Sequence, residues 1–159
     1  MIFVTVGTQL PFERLVTAVD EWAGTHPETE VFIQSGETAY RPRHCQFTAF
    51  TEADQWERLF RDAERVVSHA GMGTILKSLD YGKPLVIMPR LAALGEHRND
   101  HQVATAKRFI GFSTIRMVNE AHELAAALSE PAAGGAAAAG RSRNLEALIS
   151  EIQRFVHAE

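Results

Sequence analysis

Short apolar runs alternate with amphipathic segments along most of this chain. The runs are rich in Val, Ile, Leu and Phe and are bounded by Gly, Pro or polar residues, which is typical of strands buried on both faces. On this pattern, strands are predicted at Ile2–Val6, Glu30–Ile33, Cys45–Phe50, Arg65–Ser68, Leu85–Met88 and Ser113–Val118.

Between these runs, apolar residues recur at the spacing of an amphipathic helix. Three predicted helices are Pro11–Trp22, Ile75–Tyr81 and Asn119–Leu128, the last of which Asn119 can cap. Two more are predicted: one is opened by Thr51 and contains Trp56 and Phe60, and the other buries Val103, Ala106 and Ile110. Strands that alternate with helices throughout predict an α/β fold, in which a parallel sheet carries helices on both faces.

The end of the chain has a different composition. The segment Pro131–Gly140 is rich in Ala and Gly and is predicted to be a flexible linker. An amphipathic helix follows it, and its apolar face carries Leu145, Leu148, Ile149, Ile152 and Phe155. We therefore expect one folded domain over residues 1–130, a linker over 131–140 and a C-terminal helix over 141–159.

Composition narrows the range of functions. A chain of 159 residues is long enough for one domain with a core, and its net charge of -4 argues against a nucleic-acid partner. The single cysteine, Cys45, excludes an intrachain disulfide and fits a reducing cytosol. The first residues lack the basic flank of a signal peptide, and no stretch approaches the ~20 apolar residues of a membrane span.

The segment Ser68–Thr74 joins a predicted strand to a predicted helix through Gly71 and Gly73. Glycine lets a backbone approach a ligand closely, and the N–H groups and dipole of the following helix favour a phosphate. Leu76 stands where a dinucleotide-binding turn has its third glycine and where a P-loop has the glycine before its lysine, so neither of those motifs is present. A tight turn that binds nothing remains an alternative.

Other polar turns are expected to lie beside this one. Ligands of parallel α/β sheets bind beyond the carboxyl ends of the strands. The turns predicted at that rim are Gly7-Thr8, Gln34-Ser35-Gly36, His69–Thr74 and the loop after Met88. Two interpretations of His69 stay open, a buried core histidine and a donor to a phosphate oxygen.

The densest polar cluster, Glu96–Gln102, enters a predicted helix. Amide and carboxylate groups in such a position suit bidentate hydrogen bonds to the vicinal hydroxyls of a sugar. Alternatively, Asn99 or Asp100 caps the helix and the remaining side chains are solvated. A metal site at His97 and His101 is the least favoured interpretation, because no third ligand stands at a recognisable spacing.

Two arginines near this cluster, Arg90 and Arg98, can meet a phosphate or a sugar carboxylate, or can be solvated. Nucleophilic catalysis is not indicated, because no serine, histidine and acid, and no cysteine and histidine, are placed for it. The sequence therefore identifies no catalytic residue.

These motifs together resemble the C-terminal, donor-binding domain of the family 28 glycosyltransferases over Met1 to about Leu128. The motifs that carry the resemblance are Val4–Thr8 with Pro11-Phe12, Gln34-Ser35-Gly36, Ser68–Thr74, Gly82-Lys83-Pro84-Leu85 and Asn99-Asp100-His101-Gln102. The segment from Met88 to Gln102 is similar to small subunits of two-component bacterial exopolysaccharide glycosyltransferases. Those subunits are similar in turn to the soluble subunit of the eukaryotic GlcNAc transferase of N-glycan lipid assembly.

The resemblance implies a Rossmann-like parallel sheet that forms one half of a GT-B architecture, and it implies a role for each motif. The residues implied to bind the donor diphosphate are Gly7, Thr8, His69, Gly71, Met72, Gly73 and Thr74. Those implied to bind the nucleoside are Gln34, Ser35 and Gly36, and those implied to bind the donor sugar are Arg98, Asn99, Asp100 and Gln102. No cofactor and no metal are implied. One departure is Lys77, where many relatives have a glutamate that binds the ribose hydroxyls.

The function implied is that of the donor-binding subunit of an inverting hexosyltransferase. It would move a sugar, with glucuronate as one candidate, from a UDP-sugar to a polyprenyl-diphosphate-linked acceptor in exopolysaccharide synthesis. A membrane-associated subunit would bind the acceptor, supply the catalytic base and hold this chain at the cytoplasmic face of the membrane. A non-catalytic sensor or enhancer subunit is the alternative, and a nicotinamide-dependent oxidoreductase is disfavoured by the missing third glycine.

Overall fold

The computed structural model describes residues 1–132 as a parallel sheet with helices on both faces. Its strands are β1 (Ile2–Thr5), β2 (Val31–Gln34), β3 (Gln46–Thr48), β4 (Arg65–His69), β5 (Leu85–Met88) and β6 (Ile115–Met117). They lie in the order β3-β2-β1-β4-β5-β6, and every neighbouring pair is parallel. The predicted α/β fold is confirmed.

Five α-helices cover the sheet within the described residues. They are α1 (Glu13–Gly24), α2 (Ala53–Asp62), α3 (Met72–Tyr81), α4 (His101–Phe109) and α5 (Ala121–Ser129), with a short 3₁₀ helix at Ala92–Leu94. Helices α1 and α5 pack on one face, in an apolar cluster with Val4 and Val67, and α2, α3 and α4 pack on the other face, in a cluster with Phe3 and Val66. Neighbouring strand residues thus enter opposite clusters, because side chains alternate along a strand and both faces are covered.

Strand β1 lies at the centre of the sheet beside β4, and the chain leaves this pair in opposite directions. The segment from β1 to β3 moves to one edge, while the segment from β4 to β6 moves to the other. Such a reversal of strand order opens a crevice at the carboxyl ends of the two central strands. The loop after β1 and the turn after β4 therefore face each other across this crevice.

Several predicted boundaries need correction. Helix α3 begins at Met72 rather than at Ile75, so the glycine turn is part of the helix start. Helix α5 is capped by a capping box and not by Asn119. In this box the Glu120 side chain accepts from the Glu123 N–H, and the Glu123 side chain accepts from the Glu120 N–H. Thr51 does not cap α2, whose N-cap is Glu52. Ile110, predicted to be buried, is 54% exposed because α4 ends at Phe109.

The described part of the chain ends close to the boundary predicted between the domain and the linker. The last described helix, α5, ends at Ser129, and Pro131 and Ala132 come after it. The predicted linker beyond Ala132 and the predicted helix over 141–159 lie outside the described residues and stay predictions. Among the helices of residues 1–132, none is long and apolar enough to cross a membrane.

Candidate functional site

A cleft of about 710 Å3 lies over the carboxyl ends of the central strands. Its lining comes from the loops after β1, β3, β4 and β5 and from the first turns of α2, α3 and α4. The residues that line it are Thr5, Val6, Gly7, Thr8, Gln9, Leu10, Gln34, Phe50, Thr51, Ala53, Trp56, Glu57, His69, Gly71, Met72, Gly73, Thr74, Lys77, Arg90, His97 and Gln102. All seven residues predicted to bind a diphosphate are among them.

The start of helix α3 is open to this cleft. Gly71 is the N-cap, in an extended conformation, and no side chain caps the helix. The first helical hydrogen bond runs from the Ile75 N–H to the Gly71 carbonyl at 3.1 Å. The N–H groups of Met72, Gly73 and Thr74 come before that bond and have no acceptor within the helix. Three donors at the positive end of a helix dipole can bind an anion that enters the cleft.

Glycine is required at two positions beside His69, for a reason that the sequence did not predict. A Cβ on Gly71 would lie 2.3 Å from His69 Nε2, and a Cβ on Gly7 would lie 2.7 Å from His69 Cε1. Gly7 also has a φ of +80°, which other residues rarely adopt. At Gly73, by contrast, an added Cβ would meet nothing within 4 Å. Gly71 thus makes room for the imidazole, whereas Gly73 borders open space.

His69 is a neutral imidazole in the wall of the cleft. Burial, with repulsion from the Arg90 guanidinium, lowers its pKa to about 4, against a small opposing effect of the Thr5 backbone. It is therefore uncharged at neutral pH. Its Nδ1 is buried and makes no hydrogen bond of standard geometry with the described residues. A neutral ring can carry its one proton on either nitrogen, so it can still donate a hydrogen bond.

Arg90 brings a buried positive charge to the cleft. Its residue is 3% exposed, and its Nη2 donates to the carbonyls of Val6 (2.9 Å) and Leu10 (2.6 Å). Burial lowers its pKa to about 10, so the guanidinium stays charged at neutral pH. Its Nε is buried without a hydrogen-bond partner in the described part of the chain. A guanidinium without a bound carboxylate adds to the anion preference of the helix start.

The loop after β5 is held by an ion pair that the sequence did not predict. Arg14 on α1 binds both carboxylate oxygens of Glu96, each at 2.8 Å, and donates to the Pro89 carbonyl. The Leu91 N–H donates to the same carboxylate at 2.9 Å. Glu96 belongs to the polar cluster for which sugar binding and helix capping were both considered, and in the structure it anchors the loop to α1. The two residues are 82 positions apart, and no local pattern marks such a pair.

Of the residues predicted to bind a nucleoside, Gln34 lines the cleft, while Ser35 and Gly36 do not. The Gln34 side chain accepts from the Thr5 hydroxyl at 2.5 Å and donates to the carbonyls of Gly7 and Ala49. Ser35 is fully buried. These three residues connect the loops after β1, β2 and β3 and so shape one end of the cleft.

Of the residues predicted to bind a sugar, only Gln102 lines the cleft. Its side chain accepts from the Arg90 N–H at 3.1 Å. Asp100 accepts from the Ala92 N–H at 2.9 Å, Asn99 accepts from the His101 N–H at 3.1 Å, and Arg98 is exposed outside the cleft. Asn99 and Asp100 thus organise the start of α4. Within residues 1–132, no three side chains are grouped as metal ligands.

Sequence reasoning missed the residues that α2 and the loop before it bring to the cleft. Phe50, Trp56 and Glu57 line it, and Lys77 on α3 lies against Glu57. The sequence assigned Trp56 only to the apolar face of a helix. These residues could be found only from the order of the strands, because that order places α2 and α3 side by side.

The sequence model of the glycosyltransferase family 28 C-terminal domain matches residues 1–154. The chain belongs to this family. The resemblance given by the motifs is therefore confirmed, and the chain is a glycosyltransferase domain.

Two curated relatives of this family 28 chain are named UDP-N-acetylglucosamine transferase subunit ALG13. The mouse protein is 31% identical over 116 residues and the human protein 29% identical over 117 residues. Each alignment covers 67% of this chain but 10% of the relative, so the chain spans about a tenth of their length.

Solved structures of glycosyltransferases have the same fold. The glycotransferase of kitacinnamycin superposes with a TM-score of 0.66 at 22% identity, over 95% of this chain and 38% of that one. The solution structure of ALG13 gives 0.64 at 20% identity, over 94% of both chains, and Acinetobacter baumannii MurG gives 0.60 at 18%, over 96% and 49%. The predicted Rossmann-like half of a GT-B architecture is confirmed.

Proposed function

We propose that this chain is the donor-binding subunit of a glycosyltransferase and that it holds the diphosphate of a UDP-sugar at the start of α3. The observation that carries the proposal is the set of three N–H groups, at Met72, Gly73 and Thr74, that have no acceptor within α3 and lie in the same cleft as the buried Arg90 guanidinium. Together they form a preorganised site for a doubly charged anion. The name of the mouse and human relatives, a UDP-N-acetylglucosamine transferase subunit, supports a UDP-sugar.

The two ends of the cleft differ in a way that gives the nucleotide a direction. Phe50 and Trp56 line the end beside α2, and Phe50 is 48% exposed there. Arg90, His97 and Gln102 line the end beside α4. A planar base favours an aromatic surface, and a sugar favours hydrogen-bonding groups. We therefore assign the nucleoside to the α2 end and the sugar to the α4 end, with the diphosphate between them.

In this arrangement the chain's share of catalysis is to stabilise the leaving group. Negative charge develops on the UDP as the bond to the sugar breaks, and the fixed N–H donors of the α3 start, with the Arg90 charge in the same cleft, would stabilise it. Among residues 1–132, the lining of the cleft includes no aspartate and one glutamate, Glu57, which we place at the α2 end, away from the sugar. We assign the base that deprotonates the acceptor in an inverting transfer to the partner.

A carboxylate-bearing donor sugar, such as glucuronate, fits the charge of the α4 end. Arg90 and His97 both line this end, and the Arg90 guanidinium is charged at neutral pH. Arginine binds carboxylates in a planar, bidentate geometry. UDP-glucuronate should therefore bind more tightly than UDP-glucose in a competition titration. Equal or weaker binding of UDP-glucuronate would exclude this choice of sugar.

The word "subunit" in the names of the relatives supports a partner chain for this family 28 domain. We propose a membrane-associated subunit that binds a polyprenyl-diphosphate-linked sugar in exopolysaccharide synthesis. This chain would act beside it at the cytoplasmic face of the membrane.

The proposal is tested by a transfer assay with the tagged chain, the membrane subunit that co-purifies with it, and both together. We expect transfer from a UDP-sugar only with both, and UDP binding by this chain alone that a chelator does not weaken. Transfer by the membrane subunit alone, at the rate of the pair, would contradict the donor-binding role. If the membrane subunit transfers sugar by itself, and UDP binding to this chain only raises the rate of that transfer, this chain is an enhancer.

A further inference from the structure

A carboxylate is held at the α2 end of the cleft by two residues of α3. Glu57 Oε2 accepts from the Lys77 ammonium, and Glu57 Oε1 accepts from the Tyr81 hydroxyl at 2.6 Å. The Lys77 ammonium also lies 5.2 Å from the centre of the Trp56 ring. Glu57, Lys77 and Trp56 all line the cleft. The carboxylate is therefore fixed in place on the wall of the nucleoside end.

The Glu57 carboxylate can accept further hydrogen bonds. A carboxylate can accept about four hydrogen bonds, and the Lys77 and Tyr81 bonds use two of these positions, while Arg61 Nη2 lies 3.7 Å from Oε1, beyond hydrogen-bond distance. The side chain of Glu57 is 28% exposed, so a ligand in the cleft can reach it. Hydrogen bonds from Lys77 and Tyr81 lower the pKa of Glu57, which stays ionised at neutral pH. A fixed, ionised carboxylate is well suited to accept from neighbouring hydroxyl groups.

The position of Lys77 relates the carboxylate to the diphosphate site. Lys77 lies three residues after Thr74 on α3, which is about 4.5 Å along the helix axis at ~1.5 Å per residue. The ribose of a nucleotide is bonded directly to its first phosphate. A diphosphate on the N–H groups of Met72–Thr74 would therefore bring the ribose within about one helical turn of the Lys77–Glu57 pair.

We propose that Glu57 accepts hydrogen bonds from the ribose hydroxyls of the donor nucleotide and so selects a ribonucleotide. Lys77 and Tyr81 position the carboxylate, and the Lys77 charge offsets its repulsion of the nearby diphosphate. This inference rests on the proposed function, since it takes the cleft to be the donor site. It assigns the ribose contact to a residue of α2, with the lysine of α3 as its support.

The test is calorimetric titration of the purified chain with UDP and with 2′-deoxy-UDP. Wild type should bind UDP about tenfold more tightly, because one hydrogen bond to a charged group is lost with the 2′-hydroxyl. Glu57→Ala should bind the two ligands within about twofold of each other, and Glu57→Gln should give an intermediate preference. The matched control is Asp54→Ala, an exposed acid of the same helix that does not line the cleft.

The outcomes separate this inference from the proposed function. If wild type binds neither ligand, both are wrong. If wild type binds both equally, or Glu57→Ala keeps the tenfold preference, the ribose assignment is wrong while the donor site stands. If Glu57→Ala lowers both affinities equally, the pair with Lys77 is only structural. Should Glu57→Ala fail to fold, the isosteric Glu57→Gln must still lose part of the preference, and full retention would overturn the inference.

Discussion

At the scale of single residues, the turn after β4 is built around His69. The sequence identified this turn from its two glycines and explained both by the approach of a ligand. In the structure, Gly71 and Gly7 have no side chain because the imidazole lies where one would be. The position of the turn was thus predictable, but its packing depends on the loop after β1, which is distant in sequence.

Because His69 is buried in its neutral form, the free energy of unfolding should depend on pH. Its pKa is about 4 in the folded chain and about 6.5 when unfolded, so the unfolded chain binds more protons between these values. The contribution of His69 to the free energy of unfolding is fully present above pH ~6.5 and is lost as the pH falls toward 4. Urea unfolding should give a loss of about 3 kcal/mol over this range that His69→Gln largely removes. The control is His122→Gln on the exposed start of α5. An unchanged pH profile in His69→Gln would refute the assignment.

At the scale of elements, the loop from β5 to α4 shows where local patterns stop being informative. For its polar residues, sugar binding and helix capping were both expected from the sequence. In the structure they divide into groups that shape the loop, such as Glu96 and Asp100, and groups that line the cleft, such as His97 and Gln102. Glu96 joins the first group because it binds Arg14 on α1, and this partner is remote in sequence.

The ion pair between Arg14 and Glu96 should stabilise both the fold and the sugar end of the cleft. Its side chains are 17% and 12% exposed, so solvent screens it little. Glu96→Gln should lower the free energy of unfolding by about 2 kcal/mol and weaken binding of a UDP-sugar more than binding of UDP. The control is Glu130→Gln, which breaks the exposed pair with Arg116 and should cost no more than about 0.5 kcal/mol. Equal losses in the two variants, measured by urea unfolding and calorimetry, would contradict this role.

At the scale of the whole molecule, alternating periodicity was enough to predict a parallel sheet with two covered faces. It was not enough to predict the strand order, because each strand is a short apolar run that could lie beside several others. The order brings β1 next to β4 and β4 next to β5, and this gathers Arg90, the α3 start and the Glu57–Lys77 pair around one cleft. The rim was therefore predictable as a list of turns, and the α2 side of it was not.

The described residues form the sheet, two apolar clusters and the cleft, so residues 1–140 should fold and bind the donor by themselves. Deletion of residues 141–159 should leave UDP affinity within about twofold of the full chain. Co-purification with the membrane subunit and sugar transfer should both fall, because the apolar face predicted for that segment would be lost. An unfolded product would assign the segment to the core of this domain, and full transfer activity would refute its role in docking.

The central claim is that the diphosphate of the donor lies on the N–H groups at the start of α3. The most direct test is calorimetric titration of UDP into wild type, Gly73→Val and Gly111→Val. An added Cβ meets no neighbour at either glycine, so both variants should fold, but only Gly73 borders the cleft. Wild type and Gly111→Val should bind UDP alike, and Gly73→Val should lose at least about a hundredfold in affinity because its side chain occupies the phosphate space. Folded Gly73→Val that binds UDP as wild type does would contradict the account.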